Sequence, residues 1–439
     1  MTHKDQLGNT MSSASGTAIE HYHQALHELQ CYIGDPVGSI DRALENSPAF
    51  VMGHVLRGYL HLLGTESAGL PVARAVHQAA IEAALSVTSR ERAHIEAMGC
   101  LIKGHWHDAG RILEDVTIDH PRDPLALQAG HLIDFYTGSS RMLRDRIARA
   151  LPAWDAGMPG YHAILGMHAF GLEETGLYDR AETEARRAVE IEPRDGWSQH
   201  AVAHVMEMQG RQRDGLKWML TSPDAWSRES FFCVHNWWHV ALFHLDLGEI
   251  DEVLKLFDAP IYGKRSQVVL DMVDASALLW RLYLRGVDVG DRWQPVADAW
   301  APIAASGNYA FNDAHAMMAF VGAGREDAAR RVFEAQERAL AGSSGDNVMF
   351  TRDVGAPLAQ AIHAFGAGKY GRVVDVLRPV RTIASRFGGS HAQRDLIDLT
   401  LLEAALRDGQ QSLARALAAE RLNVKPSSPS ARILVERAA

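Results

Sequence analysis

Leu177-Tyr178-Asp179-Arg180-Ala181-Glu182-Thr183-Glu184-Ala185-Arg186-Arg187-Ala188-Val189-Glu190-Ile191-Glu192-Pro193 reads as the second helix of a two-helix unit, closed by a proline. Ala181 is the small residue that lets this helix cross its partner. The matching small position of the first helix is Ala169, twelve residues upstream. The same offset recurs in Ala97 with Ala109, Ala203 with Gly215, Ala241 with Val253, Ala316 with Ala328, Ala361 with Val373 and Ala404 with Ala416. First-helix positions are separated by 72, 34, 38, 75, 45 and 43 residues, so each of the two large gaps holds one more, degenerate pair.

A period near 34 residues, small crossing positions and a proline after the second helix predict tetratricopeptide-like helix pairs. The expected fold is all-α: a right-handed α-solenoid curled around a central pocket, with nine or so pairs filling the 439 residues as one stack. Residues 1–16 are polar and without apolar period, and are expected to be a disordered tail. Order is expected from Thr17, through degenerate repeats over 17–160, central repeats with the pocket over 161–340, and C-terminal repeats over 346–439. Ala341-Gly342-Ser343-Ser344-Gly345-Asp346 breaks the period and reads as a surface loop or hinge. Strand-like alternation is not evident.

Composition narrows the partners. The net charge is −10, with no Lys/Arg block, which argues against nucleic acid. No apolar run reaches the roughly 18 residues that span a bilayer, and the start lacks a charged-then-apolar leader, so a cytoplasmic protein is expected. Cys31, Cys100 and Cys233 are scattered, without a Cys-x-x-Cys pair, which argues against a disulfide frame and a thiolate zinc site, and they read as structural thiols. A homodimer is among the assemblies expected. No phosphate-cradling glycine loop or serine-hydrolase elbow is present.

The chemistry concentrates in Trp197-Ser198-Gln199-His200-Ala201-Val202-Ala203-His204-Val205-Met206-Glu207 and, about thirty residues on, His235-Asn236-Trp237-Trp238-His239. Spacings of three and four stack side chains on one helical face. First helices line the concave face of such repeats, so Trp197, His200, His204 and Glu207 are expected to face the groove, joined by His235, Trp238 and His239. His204, His235, His239, Glu207 and Asp274 are the expected catalytic groups, with imidazoles and carboxylates paired for proton transfer near neutral pH. Trp197, His200, Trp238, Asp271, His315, Arg352 and Arg394 are the expected substrate contacts. The i, i+4 imidazoles also suit a metal: His200, His204 and His239 are the ligands expected if a single divalent transition metal is the cofactor. Ala201 stands where a metalloprotease has its general-base Glu. His105, His107, His131, His162 and His168 lie near repeat edges or crossings and read as surface or core histidines.

Asp195-Gly196-Trp197-Ser198-Gln199-His200-Ala201-Val202-Ala203-His204, Met206-Glu207-Met208, His235-Asn236-Trp237-Trp238-His239, Phe311-Asn312-Asp313-Ala314-His315, Arg352-Asp353-Val354-Gly355, Gly388-Gly389-Ser390-His391-Ala392-Gln393-Arg394-Asp395 and Lys425-Pro426-Ser427-Ser428-Pro429 together resemble the tetratricopeptide repeat protein 38 family. The resemblance runs from about residue 90 to the C-terminus. Trp237 stands where a Tyr is expected, and His391 where an Asn is frequent. The resemblance implies an all-helical repeat fold and no settled reaction.

Two functions follow as expectations. One is a small-molecule ligand in the His/Asp/Trp pocket, with hydrolase- or lyase-type chemistry, the C-terminal repeats with Arg352 and Arg394 closing over it. The alternative is a non-catalytic scaffold that binds a peptide or protein partner in its groove.

Overall fold

The computed structural model describes residues 2–342 and 344–439. Its helices form two compact units, one of residues 2–202 with 224–232, the other of 203–223 with 233–439.

The first unit begins with a hairpin, β1 (Thr2–Lys4) against β2 (Thr10–Ser12), where a mobile tail was expected. Side chains from below pin it. Glu91 accepts from the Ser12 amide and hydroxyl, both at 2.8 Å, and the Arg90 guanidinium donates to the Thr10 carbonyl at 2.6 Å. Helix pairs follow: α1 (Gly16–Cys31) with α2 (Pro36–Asn46), α3 (Val51–Leu62) with α4 (Gly69–Ala83), and α5 (Ser89–Ile102) with α6 (Trp106–Asp119). Next come α7 (Pro124–Tyr136) with α8 (Ser140–Ala150), and α9 (Tyr161–Glu173) with α10 (Tyr178–Ile191). The unit ends within α11 (Gly196–Met208).

The second unit takes the rest of α11 and then α12 (Gln212–Thr221). The short α13 (Pro223–Ser227) belongs mostly to the first unit, and the chain re-enters the second at α14 (Cys233–Leu247). There α14 pairs with α15 (Ile250–Leu256), α16 (Val269–Leu284) with α17 (Trp293–Trp300), and α18 (Ala310–Gly322) with α19 (Glu326–Gly342). After α20 (Asn347–Phe350) come α21 (Ala356–Gly366) with α22 (Tyr370–Val380), α23 (His391–Arg407) with α24 (Gln411–Val424), and α25 (Pro429–Arg437). Ser343, in the expected Gly/Ser loop, lies outside the described residues; Ala341 and Gly342 complete α19.

The small crossing positions are buried in six of the seven offset pairs and in both degenerate ones helices occupy the gaps. The last pair differs: Ala416 is exposed, and Ala414, two residues earlier on α24, is buried. Within the second unit the C-terminal helices turn back, α23 onto α16 and α25 onto α14. Trp280 donates to the Thr400 hydroxyl at 3.0 Å, and the Ser428 hydroxyl donates to Asp246 at 2.6 Å. These bonds tie the C-terminal repeats to α16 and α14.

Candidate functional site

The second unit brings three histidines together from two helices. His204 and Glu207 sit one turn apart near the end of α11, and His235, Trp238 and His239 share a face of α14. The third wall is α16, a largely apolar helix interrupted by Asp271, Asp274 and Arg281. His204, His235 and His239 each present a ring nitrogen, and these atoms lie within 4.8 Å of one another. The His204 and His239 rings are 4.5 Å apart, and those of His235 and His239 5.0 Å.

Carboxylates orient two of the rings. His235 Nδ1 lies 2.9 and 3.0 Å from the oxygens of Asp274, and His239 Nδ1 lies 3.1 Å from Glu207. Each bond turns Nε2 of its ring the other way, as in histidines held for a ligand or a proton. Lys425 stands 3.6 Å from the second Glu207 oxygen. Burial drives the His239 pKa well below the usual value, assisted by His204, His235, Arg281 and Lys425, so its imidazole is neutral at neutral pH. Burial raises the Asp274 carboxyl above the ordinary range, with His235 and Arg281 opposing. Three imidazoles, two of them backed by carboxylates, can hold a divalent cation or pass a proton.

All these groups are buried, so the stripe expected to line an open groove faces the protein interior. Trp238 is wholly enclosed, stacked on His235 at 5.3 Å, with the Arg281 guanidinium 5.2 Å from its ring centre. His315 is buried too, its Nδ1 2.8 Å from the Phe311 carbonyl oxygen, and burial lowers its pKa to about 4.

The remaining expected contacts have their own surroundings. Trp197 and His200 belong to an aromatic core of the first unit: Trp197 stacks on Tyr32 at 5.5 Å, and His200 on Phe170 at 5.5 Å. Arg352 is exposed on a π-helical turn, Thr351–Gly355, and donates to its neighbour Asp353 at 3.0 Å. Its charge is satisfied at the surface. Arg394 donates to the Gly389 carbonyl, holding the turn that opens α23. Asp271 is half-buried and acts electrostatically on Cys233 and Tyr262.

The cations that do serve this interior are Arg281, Lys425 and Arg421. Arg281 donates to the Ala392 carbonyl at 2.6 Å, and Arg421 binds Asp395 with two bonds of 2.6 and 2.9 Å. Although burial pushes the Asp395 carboxyl up, Arg421 and Lys425 hold it well below the usual range. A lone Arg seven residues after Asp274, in an otherwise apolar helix, was the available sequence signal for Arg281.

The first unit offers a different surface, a groove of about 370 Å³ along α1. Its walls carry Gln6, Gln24, Gln30, His23 and His27 over apolar Leu7, Leu26 and Pro159, with Asp5 and Glu20 and no Lys or Arg in its lining. Gln30 is buried at its base, and its amide nitrogen has no hydrogen-bond partner. Among the described residues no helix is long and apolar enough to cross a membrane.

No family model matches the chain. Among solved structures it is similar to the APC/C hetero-tetramer Cut9-Hcn1, at 11% identity and a TM-score of 0.40, over 96% of this chain and 76% of that one. It is similar to yeast Tom70 at 11% identity and TM-score 0.32, over 96% of this chain and 86% of that one. Naa15/Naa10 bound to HypK-THB matches at 11% identity and TM-score 0.27, over 96% of this chain and 64% of that one. Likenesses this distant say nothing of partners, and the fold rests on the chain's own helix pairs.

Proposed function

We propose that this chain is a helical-repeat interaction protein, a non-catalytic scaffold that takes an extended segment of a partner protein in the groove along α1. The observation that carries this reading is the internal pairing of the buried acids. Asp274 is taken by His235, Glu207 by His239 and Lys425, and Asp395 by Arg421. Groups so paired staple helices together, whereas the groove of the first unit offers amide and imidazole groups of the kind that meet a peptide backbone. Its acidic, cation-free lining suits a neutral or basic segment. Membership of the tetratricopeptide repeat protein 38 family and a cytoplasmic location belong to the same proposal.

The test is selection from a displayed library of extended peptides, followed by affinity measurements on wild type, Gln30→Leu, Glu20→Lys and His204→Ala. Selected peptides should bind the two groove variants at least tenfold more weakly, about 1.4 kcal/mol, and His204→Ala unchanged. Peptides indifferent to both groove substitutions, or none selected, would rule the reading out.

The convergence of His204, His235 and His239 favours a second reading, a cation centre serving a small-molecule ligand. Elemental analysis of untagged protein decides it: about one equivalent more transition metal in the wild type than in His204→Ala supports it, and equal metal content in the two removes it.

A further inference from the structure

A second group of donor side chains lies in the first unit, away from those histidines. His27 and Cys31 are one turn apart on α1, with Cys31 Sγ 3.8 Å from His27 Nδ1. His162, at the start of α9, completes the group: one donor atom from each of the three lies within 4.8 Å of the others. Asp195 takes His162 Nδ1 at 2.8 Å, so the ring's Nε2 is the nitrogen turned away from that carboxylate. Gly160 makes the approach of α9 to α1 feasible. Its φ is +77°, and a Cβ there would meet Gln30 Oε1 at 3.0 Å.

These distances can be set against a tetrahedral zinc site. Bonds of about 2.3 Å to sulfur and about 2.0 Å to nitrogen place sulfur and nitrogen about 3.5 Å apart, within a few tenths of an ångström of the separation of Cys31 from His27. Two neutral imidazoles and a thiolate match a borderline-soft divalent cation. Cys31 and His162 are buried, while the half-exposed His27 also lines the groove, which gives a cation its way in. A carboxylate behind His162 is the usual support of a metal-bound imidazole.

We propose that His27, Cys31 and His162 form a binding site for one divalent transition cation of the zinc type, with a fourth position left to water. Binding replaces the Cys31 thiol proton by the cation and releases that proton to solvent. Burial holds the free thiol well above its ordinary pKa, so without a cation Cys31 is unreactive. The site stands independently of what the groove binds.

The experiment is a Co²⁺ titration of the untagged full chain after chelator treatment. A site built on Cys31 gives a thiolate-to-cobalt charge-transfer band in the near ultraviolet, which the histidines of the second unit cannot give. The band should saturate at one equivalent, vanish in Cys31→Ser, weaken in affinity at least tenfold in His162→Ala, and persist in Cys233→Ser and His204→Ala. Far-ultraviolet circular dichroism confirms that each variant folds, and His27→Ala, a half-exposed change, serves if Cys31→Ser does not. No band in the wild type, or one that survives Cys31→Ser, overturns the proposal.

Discussion

His131 shows what a single residue contributes when burial decides its charge. It is wholly enclosed in α7, and burial, with the nearby Arg146 and His168, lowers its pKa to about 3. In the unfolded chain the imidazole takes up a proton near pH 6.5, which the folded protein refuses until about pH 3. Stability therefore falls as pH drops below about 6.5, by about 1.4 kcal/mol per unit for this residue. Denaturant unfolding at pH 6.5 and 5.5 should show His131→Phe losing about 1 kcal/mol less than wild type over that step, since the unfolded imidazole is already half protonated at the start. Equal losses would show that the native state protonates His131 after all. His131 read as a core histidine from its repeat position, and it is one. Arg281 did not announce itself, because a cation inside an apolar helix becomes intelligible only once Ala392 and Trp238 are brought to it from distant helices. Trp197 and His200 illustrate the reverse: a helical face is legible from spacing, but what packs against it is not.

At the scale of elements, the twelve-residue offset captured helix pairing because crossing helices need small residues at a fixed height. Where packing is close, a glycine is required. Gly171 on α9 is such a place, since an added Cβ would stand 2.5 Å from the backbone of Arg144 on α8. Backbone cannot rotate aside, so Gly171→Ala should destabilise the protein by about 1–3 kcal/mol. By contrast Gly286→Ala meets nothing within 4 Å, and its cost is only that of its positive φ. Comparable unfolding midpoints for Gly171→Ala and wild type would show that α8 and α9 can separate without loss. The offset failed at Ala416, where α24 needs to pack on only part of its surface, and Ala414 takes the inward position. The hairpin before α1 was not legible either. Its residues are polar apart from the buried Met11, and much of its order comes from Arg90 and Glu91, about eighty residues later.

For the molecule as a whole, the C-terminal segment is the piece that converts repeats into a closed second unit. Ser428 binds Asp246, Ser430 receives the Arg285 guanidinium at 2.8 Å, and Lys425 meets Glu207. Removing residues 425–439 should leave Glu207 without its lysine and uncover α14, where α25 packs. Hydrogen exchange should then rise in α14 and around Asp246, while α3 and α5 of the first unit keep their protection. Unchanged exchange in α14 would mean that the tail only decorates the surface. The sequence by itself determined the helical repeat, its register over most of the chain and the faces that carry the histidines. Those are properties of local period, and a helix expresses them wherever it lies. Tertiary structure alone decided that the histidine face is buried, which cations neutralise its acids, and that Arg352 stays outside. It also set His27 and Cys31 beside His162. Each of these depends on contacts between residues far apart in the chain, and no local period encodes them.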